Sequence, residues 1–368
     1  MSKRQDRLSR VARIYRDRRV LVTGHSGFKG AWLCTWLDRL GADITGVSLP
    51  AGRADDARAQ FQAPVENRWL DINQPGAVEE VVKDRAPEIV FHLAAQSLVR
   101  RSYRWPLETL TTNVIGTARV LEAIRSAPSV RAVVVVTSDK VYRNPETGAT
   151  FSEEHPLGGQ DPYSGSKACA EVVAALYRES YLATRGIGVA TVRVGNVIGG
   201  GDWAEDRLAP DLVRAFLRGD TAALRNPAAV RPWQHVLDPL FGYLMLGAEL
   251  LEGNDFASAW NFGPDPSSCV AVVELARMLA AHWPGSSMTI ARDKHAPYEA
   301  PVLRLDNARA RQKLGWSPVL DLSGAVAWTA EWYRQALVEG AEPLALTRGQ
   351  IDRYCRLLAT SAELAKGA

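Results

Sequence analysis

RVLVTGHSGFKG, residues 19–30, is the stretch on which the fold turns. A short apolar run of strand character, RVLVT, leads into Gly24, Gly27 and Gly30, spaced GxxGxxG. The residues from Gly27 to Leu40 then read as a helix. Glycines at such a helix start let the backbone turn tightly and approach a pyrophosphate, which sits on the free N–H groups there. The glycine pattern alone says little. The strand before it and the helix after it make it a dinucleotide-binding loop rather than a tight turn holding nothing.

Outward from this loop, β runs alternate with helical stretches. The further strands are ADITGVSL (42–49), NRWLDI (67–72), EIVFHLA (88–94), RAVVVVT (131–137) and VATVRV (189–194). Helical stretches lie near 77–85, 107–126 and 161–185. Strands this apolar, separated by helices, imply a parallel sheet covered on both faces. The expected class is α/β: a doubly wound parallel Rossmann sheet over 19–194 that binds NAD or a related dinucleotide. Residues 195–368 form a smaller C-terminal α/β substrate-binding lobe, interleaved with the first domain. It opens on GNVIGGGDWAEDRLAP, a stretch of glycine and polar residues that reads as a binding loop. Residues 1–18 are an N-terminal basic helical extension, read as a solvated helix rather than a targeting arm.

Composition narrows the function. Of 368 residues, 46% are hydrophobic and 23% charged, ordinary for a globular protein. A net charge of +3 gives no reason to expect nucleic acid or an acidic membrane as partner. No run reaches the ~18 apolar residues of a membrane span. The N-terminus lacks the apolar core of a signal peptide, so a cytoplasmic place is expected. Cys34, Cys169, Cys269 and Cys355 lie far apart, and the histidines make no HxxxH pattern. Neither a disulfide framework nor a metal site is suggested. His25, His92 and His235 read as packing or hydrogen-bonding residues, and Trp32, Trp36 and Trp332 as core.

The end of the second strand leaves the dinucleotide open. An acidic residue there would hold the adenosine ribose of NAD; Ser48 occupies roughly that place, with Arg53 just beyond. Asp71, at the end of the third strand, is either an adenine contact or a solvated carboxylate.

TSDKVY (137–142) closes a buried run with Ser138, Asp139 and Lys140, three side chains able to move protons. Strand C-terminal ends are where sites form in open α/β sheets. DPYSGSKACAE (161–171) sets Tyr163 and Lys167 four apart, on one face of a helix begun by Asp161-Pro162. A phenol with pKa near ~10 is a poor base at neutral pH. A nearby ammonium and a positive nicotinamide ring both favour the phenolate.

With these motifs in place the chain resembles the extended short-chain dehydrogenase/reductases, and more narrowly the CDP-glucose 4,6-dehydratase family. The resemblance runs from about Arg19 to Tyr354. It is carried by VTGHSGFKGAWL, FHLAAQSLVRRSY, TNVIGTARVLEAIR, TSDKVY, DPYSGSKACAE, RVGNVIGGGDWAEDRLAPD, RNPAAVRPWQHVLDPL and LTRGQIDRY. Val141, Ser97 and Gly165 depart from the family pattern, where cysteine, proline and asparagine are usual.

The resemblance implies NAD held by the glycine loop through Gly24, Ser26, Gly27, Phe28, Lys29 and Gly30. It adds Asp71 and Ile72 after the third strand, Leu93, Ala94, Ala95 and Gln96 after the fourth, and Asn113, Thr137, Tyr163, Lys167 and Val197. It implies Ser138 at the sugar 4-hydroxyl beside Tyr163, which takes the proton as hydride leaves C4. Asp139 would be the acid for the departing 6-hydroxyl and Lys140 the base at C5, a role that needs its pKa well below ~10.4. For a CDP-hexose substrate it implies Gln96, Ser138, Asn196, Arg207, Leu208, Pro210, Arg231, Tyr298 and Glu299. Arginine suits the two phosphates because its planar fork donates two hydrogen bonds. The resemblance also implies a homodimer or homotetramer built by pairing long helices. A nucleotide-sugar 4-epimerase or reductase on the same scaffold would need Tyr163 and Lys167 but would have no use for an acid–base pair at 139–140.

Overall fold

The computed structural model describes residues 3–50, 63–291 and 297–360. Its centre is a seven-stranded sheet in which every pairing is parallel. The strands are β1 (Arg19–Thr23), β2 (Asp43–Ser48), β3 (Glu66–Trp69), β4 (Ile89–His92), β5 (Ala132–Val136), β6 (Gly188–Val194) and a seventh, Ala259–Phe262. Their spatial order is Ala259–Phe262, β6, β5, β4, β1, β2, β3. The order in which the chain adds strands reverses between β1 and β4, which opens a crevice at the carboxyl ends of those strands. Every residue of β4, β5 and β6 is buried. Strands rich in β-branched valine, with no polar face, fold only where helices cover both sides.

The helices do so. Phe28–Arg39 carries Trp32, Trp36 and Leu37 into one core, where they meet Leu237, Phe241 and Tyr354. Ala77–Arg85 and Gly116–Arg125 cover the opposite face through Val78, Val82, Val120 and Leu121. Trp32, Trp36 and Trp332 are fully buried, as their helical positions suggested. His92 is held between Thr23 Oγ1 at 2.7 Å and Thr117 Oγ1 at 3.0 Å. His25 is hydrogen-bonded to Asn67 Oδ1 at 2.7 Å.

The N-terminal extension is corrected. Lys3–Tyr15 is a helix, but not a solvated one. Val11 and Tyr15, four apart and therefore on one face, are buried against the body of the protein. The Tyr15 hydroxyl donates to Leu244 O at 2.9 Å, and Arg10 forms ion pairs with Glu249 and Glu252. The density of arginine in this segment masks a narrow apolar stripe.

Two further features were not visible in the sequence. A short helix, Val99–Arg104, precedes the helical region that begins at Pro106, and Thr111–Ile115 winds as a π-turn inside that region. Such turns often mark functional sites, and Thr111 and Thr112 line the cavity described below. The stretch beyond 195 gives the central sheet its seventh strand, paired to β6. It also supplies the helix Leu208–Arg218 and three small two-stranded sheets.

Candidate active site

The crevice at the strand ends is a single cavity of about 1130 Å³. That exceeds the roughly 300–1,000 Å³ of an ordinary single-ligand site and leaves room for a dinucleotide beside a second nucleotide. The glycine loop forms one wall. Gly24 has φ of 75°, and a Cβ on it would lie 2.7 Å from Ala94 N; a Cβ on Gly30 would lie 2.1 Å from Gly24 O. Packing therefore requires glycine at both positions. Gly27 differs: a Cβ there would meet nothing closer than Gly24 O at 3.4 Å. The protein does not need a glycine at 27, but Gly27 lines the cavity at a helix start, so its bare backbone fits a pyrophosphate. The loop's residues thus suit the dinucleotide that the sequence suggested.

Around the adenosine end, Ser48 does not hang free: its hydroxyl accepts from Ser26 N at 3.2 Å. Arg53 lies outside the described residues. Asp71 is exposed, lines the cavity and caps its own turn by accepting from Asn73 N at 2.9 Å.

The opposite wall is the end of β5. Ser138 is extended and begins a tight turn over Asp139–Val141. Its Oγ donates to Asp139 Oδ1 at 3.1 Å and accepts from Lys140 N at 3.2 Å. Asp139 is 2% exposed; its Oδ1 also receives Lys140 Nζ at 3.4 Å. Its Oδ2 is buried with no partner among the described residues. A buried carboxyl group with one oxygen unsatisfied is costly unless a ligand supplies the partner.

The helix Pro162–Tyr177 faces this turn. Asp161 caps it by accepting from Ser164 N at 2.9 Å, and Pro162 stands in its first turn. Tyr163 and Lys167 are both buried and both reach the cavity. Lys167 Nζ donates to Val136 O at 3.0 Å, which fixes the ammonium at the end of β5.

The electrostatics differ from the expectation that the lysine ammonium lowers the tyrosine. Burial pushes the Tyr163 phenol up to about 12, against its hydrogen bond with Ser138, which pulls it down. Burial, with the charge of Lys29, pushes Lys167 down to about 7, while Glu171 pulls it up. Burial also brings Lys29 down to about 8, with Arg207 lowering and Asp139 raising it. Protein groups alone therefore keep Tyr163 protonated at neutral pH. Its activation rests on the positive charge a bound nicotinamide ring would add.

Nearly all the residues expected from the sequence line this cavity, including Ser138, Asp139, Lys140, Tyr163 and Lys167. Asn196, Arg207, Leu208, Pro210, Arg231 and Glu299 line its far end. Two expected residues do not. Asn113 is buried and braces the loop after β4: its side chain accepts from Gln96 N at 2.8 Å and donates to Gln96 O at 2.9 Å and Ser166 Oγ at 2.8 Å. Tyr298 borders a much smaller neighbouring cavity with Lys140 and Glu299, and its hydroxyl bonds to Glu146.

Sequence reasoning missed Asp202. Buried in the GGGDW loop, it accepts from Arg207 Nη1 at 3.0 and 3.2 Å, while Arg207 Nη2 donates to Ser97 Oγ at 2.9 Å. A lone carboxylate amid three glycines was the available signal. Arg231 is likewise held, 3.7 Å from Glu299 Oε2. Among the described residues no group of side chains is arranged to hold a metal ion.

The chain is similar to proteins already known. Residues 20–258 match the model of a family described as the NAD dependent epimerase/dehydratase family. The chain is 40% identical to the CDP-glucose 4,6-dehydratase of Salmonella typhimurium strain LT2, over 92% of this chain and 97% of the relative. It is 30% identical to the UDP-glucose 4-epimerase of Mycolicibacterium smegmatis, over 86% and 98%. Among solved structures, a dTDP-glucose 4,6-dehydratase double mutant from Streptomyces venezuelae with NAD and DAU bound is similar at a TM-score of 0.74. That chain is 26% identical, with 89% of this chain and 99% of that one covered.

Proposed function

The chain belongs to the NAD dependent epimerase/dehydratase family, and from that premise we propose that it is a nucleotide-sugar 4,6-dehydratase converting CDP-D-glucose to CDP-4-keto-6-deoxy-D-glucose. The observation that carries this reading is the Asp139–Lys140 pair. It stands on the cavity wall one residue from Ser138, with one carboxylate oxygen unpartnered. A 4-epimerase has no task for such a pair.

Bound NAD supplies the hydride acceptor and donor, held by the glycine loop and Lys167. The rest falls to side chains of the protein. Ser138 and Tyr163 engage the 4-hydroxyl, and Tyr163 takes its proton. The 4-ketone acidifies the C5 hydrogen, which Lys140 Nζ removes. Asp139 protonates the departing 6-hydroxyl, which leaves as water. Lys140 has then gained a proton and Asp139 has lost one. Their 3.4 Å contact is the path that returns both to their starting state, and as hydride returns to C6 the proton that Tyr163 took from the 4-hydroxyl balances the one that C5 takes back. No external proton is consumed, and no net oxidation occurs.

At the nucleotide end, Arg231 and Arg207 face the diphosphate. Burial lowers the Arg231 pKa, opposed by Glu299, but a guanidinium keeps its charge. Arg231→Lys retains charge and loses the fork. It is expected to weaken CDP-glucose binding, measured by calorimetry, with little change in melting temperature; unaltered affinity would return Arg231 to a packing role.

We further infer a homodimer or homotetramer. The helical regions 106–125 and 162–177 expose Leu107, Ile115, Val172 and Leu176, an apolar face that pairing of helices would cover. A cytoplasmic place fits four free cysteines, and no helix among the described residues is long and apolar enough to cross a membrane.

Incubation with CDP-, dTDP-, GDP- and UDP-hexoses, followed by mass spectrometry, tests the reading. The expected result is loss of one water from CDP-glucose without stoichiometric accumulation of reduced nicotinamide. Interconversion of 4-epimers with no loss of mass would select the epimerase instead.

A further inference from the structure

Behind the proton-transfer groups lies a buried polar network that the chemistry above does not use. Glu171 follows Lys167 by four residues, so the two share a face of the helix Pro162–Tyr177. It is 4% exposed. One carboxylate oxygen accepts from Thr137 Oγ1 at 2.5 Å. The other accepts from Thr191 Oγ1 at 2.6 Å and Arg193 Nη2 at 2.8 Å. Thr137 immediately precedes Ser138, and Thr191 and Arg193 belong to β6. Arg193, also 4% exposed, continues the chain of contacts: its Nη1 donates to the Tyr142 hydroxyl at 3.0 Å, which donates to Asn261 Oδ1 at 2.6 Å. One carboxylate thus links the helix, the last residue before the Ser138 turn, and the neighbouring strand.

A carboxylate and a guanidinium at this depth cost more than apolar packing, the more so as Arg193 Nε is buried without a hydrogen-bond partner among the described residues. Their place beneath the acid–base groups is therefore informative. We propose that Glu171 is a positioning residue: it locks the helix bearing Tyr163 and Lys167 to the ends of β5 and β6, and it is the anion that faces Lys167 from one turn down the same helix. The proposal rests on the assignment of Tyr163 to proton transfer and of Lys167, as an ammonium, to holding NAD.

The charge argument has a definite sign. Lys167 is faced by Lys29 from the glycine-loop helix, by His92 from the end of β4, by the Val136 carbonyl from β5, and by Tyr163 and Glu171 on its own helix. Lys29 disfavours the ammonium and Glu171 favours it. His92 stays neutral, since burial and Lys167 bring it down to about 3. Removing the Glu171 charge therefore lowers Lys167 below about 7, and the ammonium disappears at a lower pH.

The test compares the parent, Glu171→Gln, Glu171→Asp and the double variant Glu171→Gln/Arg193→Gln, which leaves no unpaired buried charge if the single Gln variant fails to fold. Lysine Nζ NMR titration, with Lys167→Met assigning the signal, reads Lys167 directly, and the pH dependence of kcat and the KM for CDP-glucose are measured alongside. In both Gln variants the Lys167 midpoint and the alkaline limb of kcat are expected to move to lower pH. At pH 8 kcat should fall about tenfold, the shift of one unit, with KM changed less. Glu171→Asp, which keeps the charge, should hold the Lys167 midpoint near the parent while the melting temperature falls. An unmoved Lys167 midpoint in the Gln variants, whatever happens to melting temperature, overturns the proposal. A lowered midpoint with an unmoved rate profile upholds the hold of Glu171 on Lys167 and overturns the role given to Lys167 itself.

Discussion

Tyr163→Phe is expected to lower turnover of the nucleotide sugar by about 10²–10⁴-fold, the usual contribution of a general acid–base group. The fold should be untouched. Tyr163 is fixed through its backbone, whose N–H donates to Ser102 Oγ at 3.1 Å, and through a ring packed at 8% exposure, and phenylalanine keeps both. The hydroxyl lost is the one whose link to the protein runs to Ser138. Affinity for NAD should persist, because Lys167 remains anchored to Val136 O. The parent enzyme should show a kcat that rises with pH towards the phenol's ionisation. Protein groups place that ionisation near 12, and the charge of the bound nicotinamide moves it down. The Phe variant should lose this limb along with the rate. Near-parent turnover by Tyr163→Phe, with a full pH profile, would remove Tyr163 from the chemistry.

The parts of this molecule that could be read from the sequence are those whose cause is local. β5 is AVVVV because a strand buried on both faces has no polar side, and that regularity shows in five residues. The glycine loop could be read because packing demands glycine at 24 and 30 and a ligand favours it at 27. Tyr163 and Lys167 could be read because helical spacing alone puts them together. What escaped depends on contacts across long sequence distances. Asn113 was expected against the cofactor and instead braces Gln96. The Glu171–Arg193 pair joins a helix to a strand, and nothing near either residue announces it. The Lys3–Tyr15 helix looked solvated because its many arginines outweigh Val11 and Tyr15 in any average. The elevated Tyr163 pKa also escaped, since desolvation is a property of the whole surround and not of the YxxxK spacing.

The Asp139–Lys140 pair decides between a dehydratase and its relatives, and the two members should fail in different ways. Lys140→Met keeps the bulk of the stem and removes the amine. The turn should survive, since it depends on the Lys140 backbone N–H to Ser138 Oγ, which methionine retains. The 4-hydroxyl is still engaged by Ser138 and Tyr163, so oxidation at C4 should proceed. Removal of the C5 proton should not. The sugar is then expected to stall as the 4-keto hexose with its 6-hydroxyl in place, trapped by borodeuteride and weighed by mass spectrometry. Exchange of C5 with deuterated solvent and loss of water should both fall by about 10²–10⁴-fold. Asp139→Asn preserves shape, but an amide is a far poorer proton donor to a leaving hydroxyl, and it breaks the 3.4 Å path from Lys140. With the amine still present, the C5 proton should continue to exchange while water loss slows by a similar factor. One variant thus loses exchange and elimination together, and the other loses elimination alone. If Lys140→Met eliminates water at the parent rate, the amine is not the base. If Asp139→Asn does so, the unpartnered Oδ2 has some other purpose, and the case for elimination at the end of β5 fails with it.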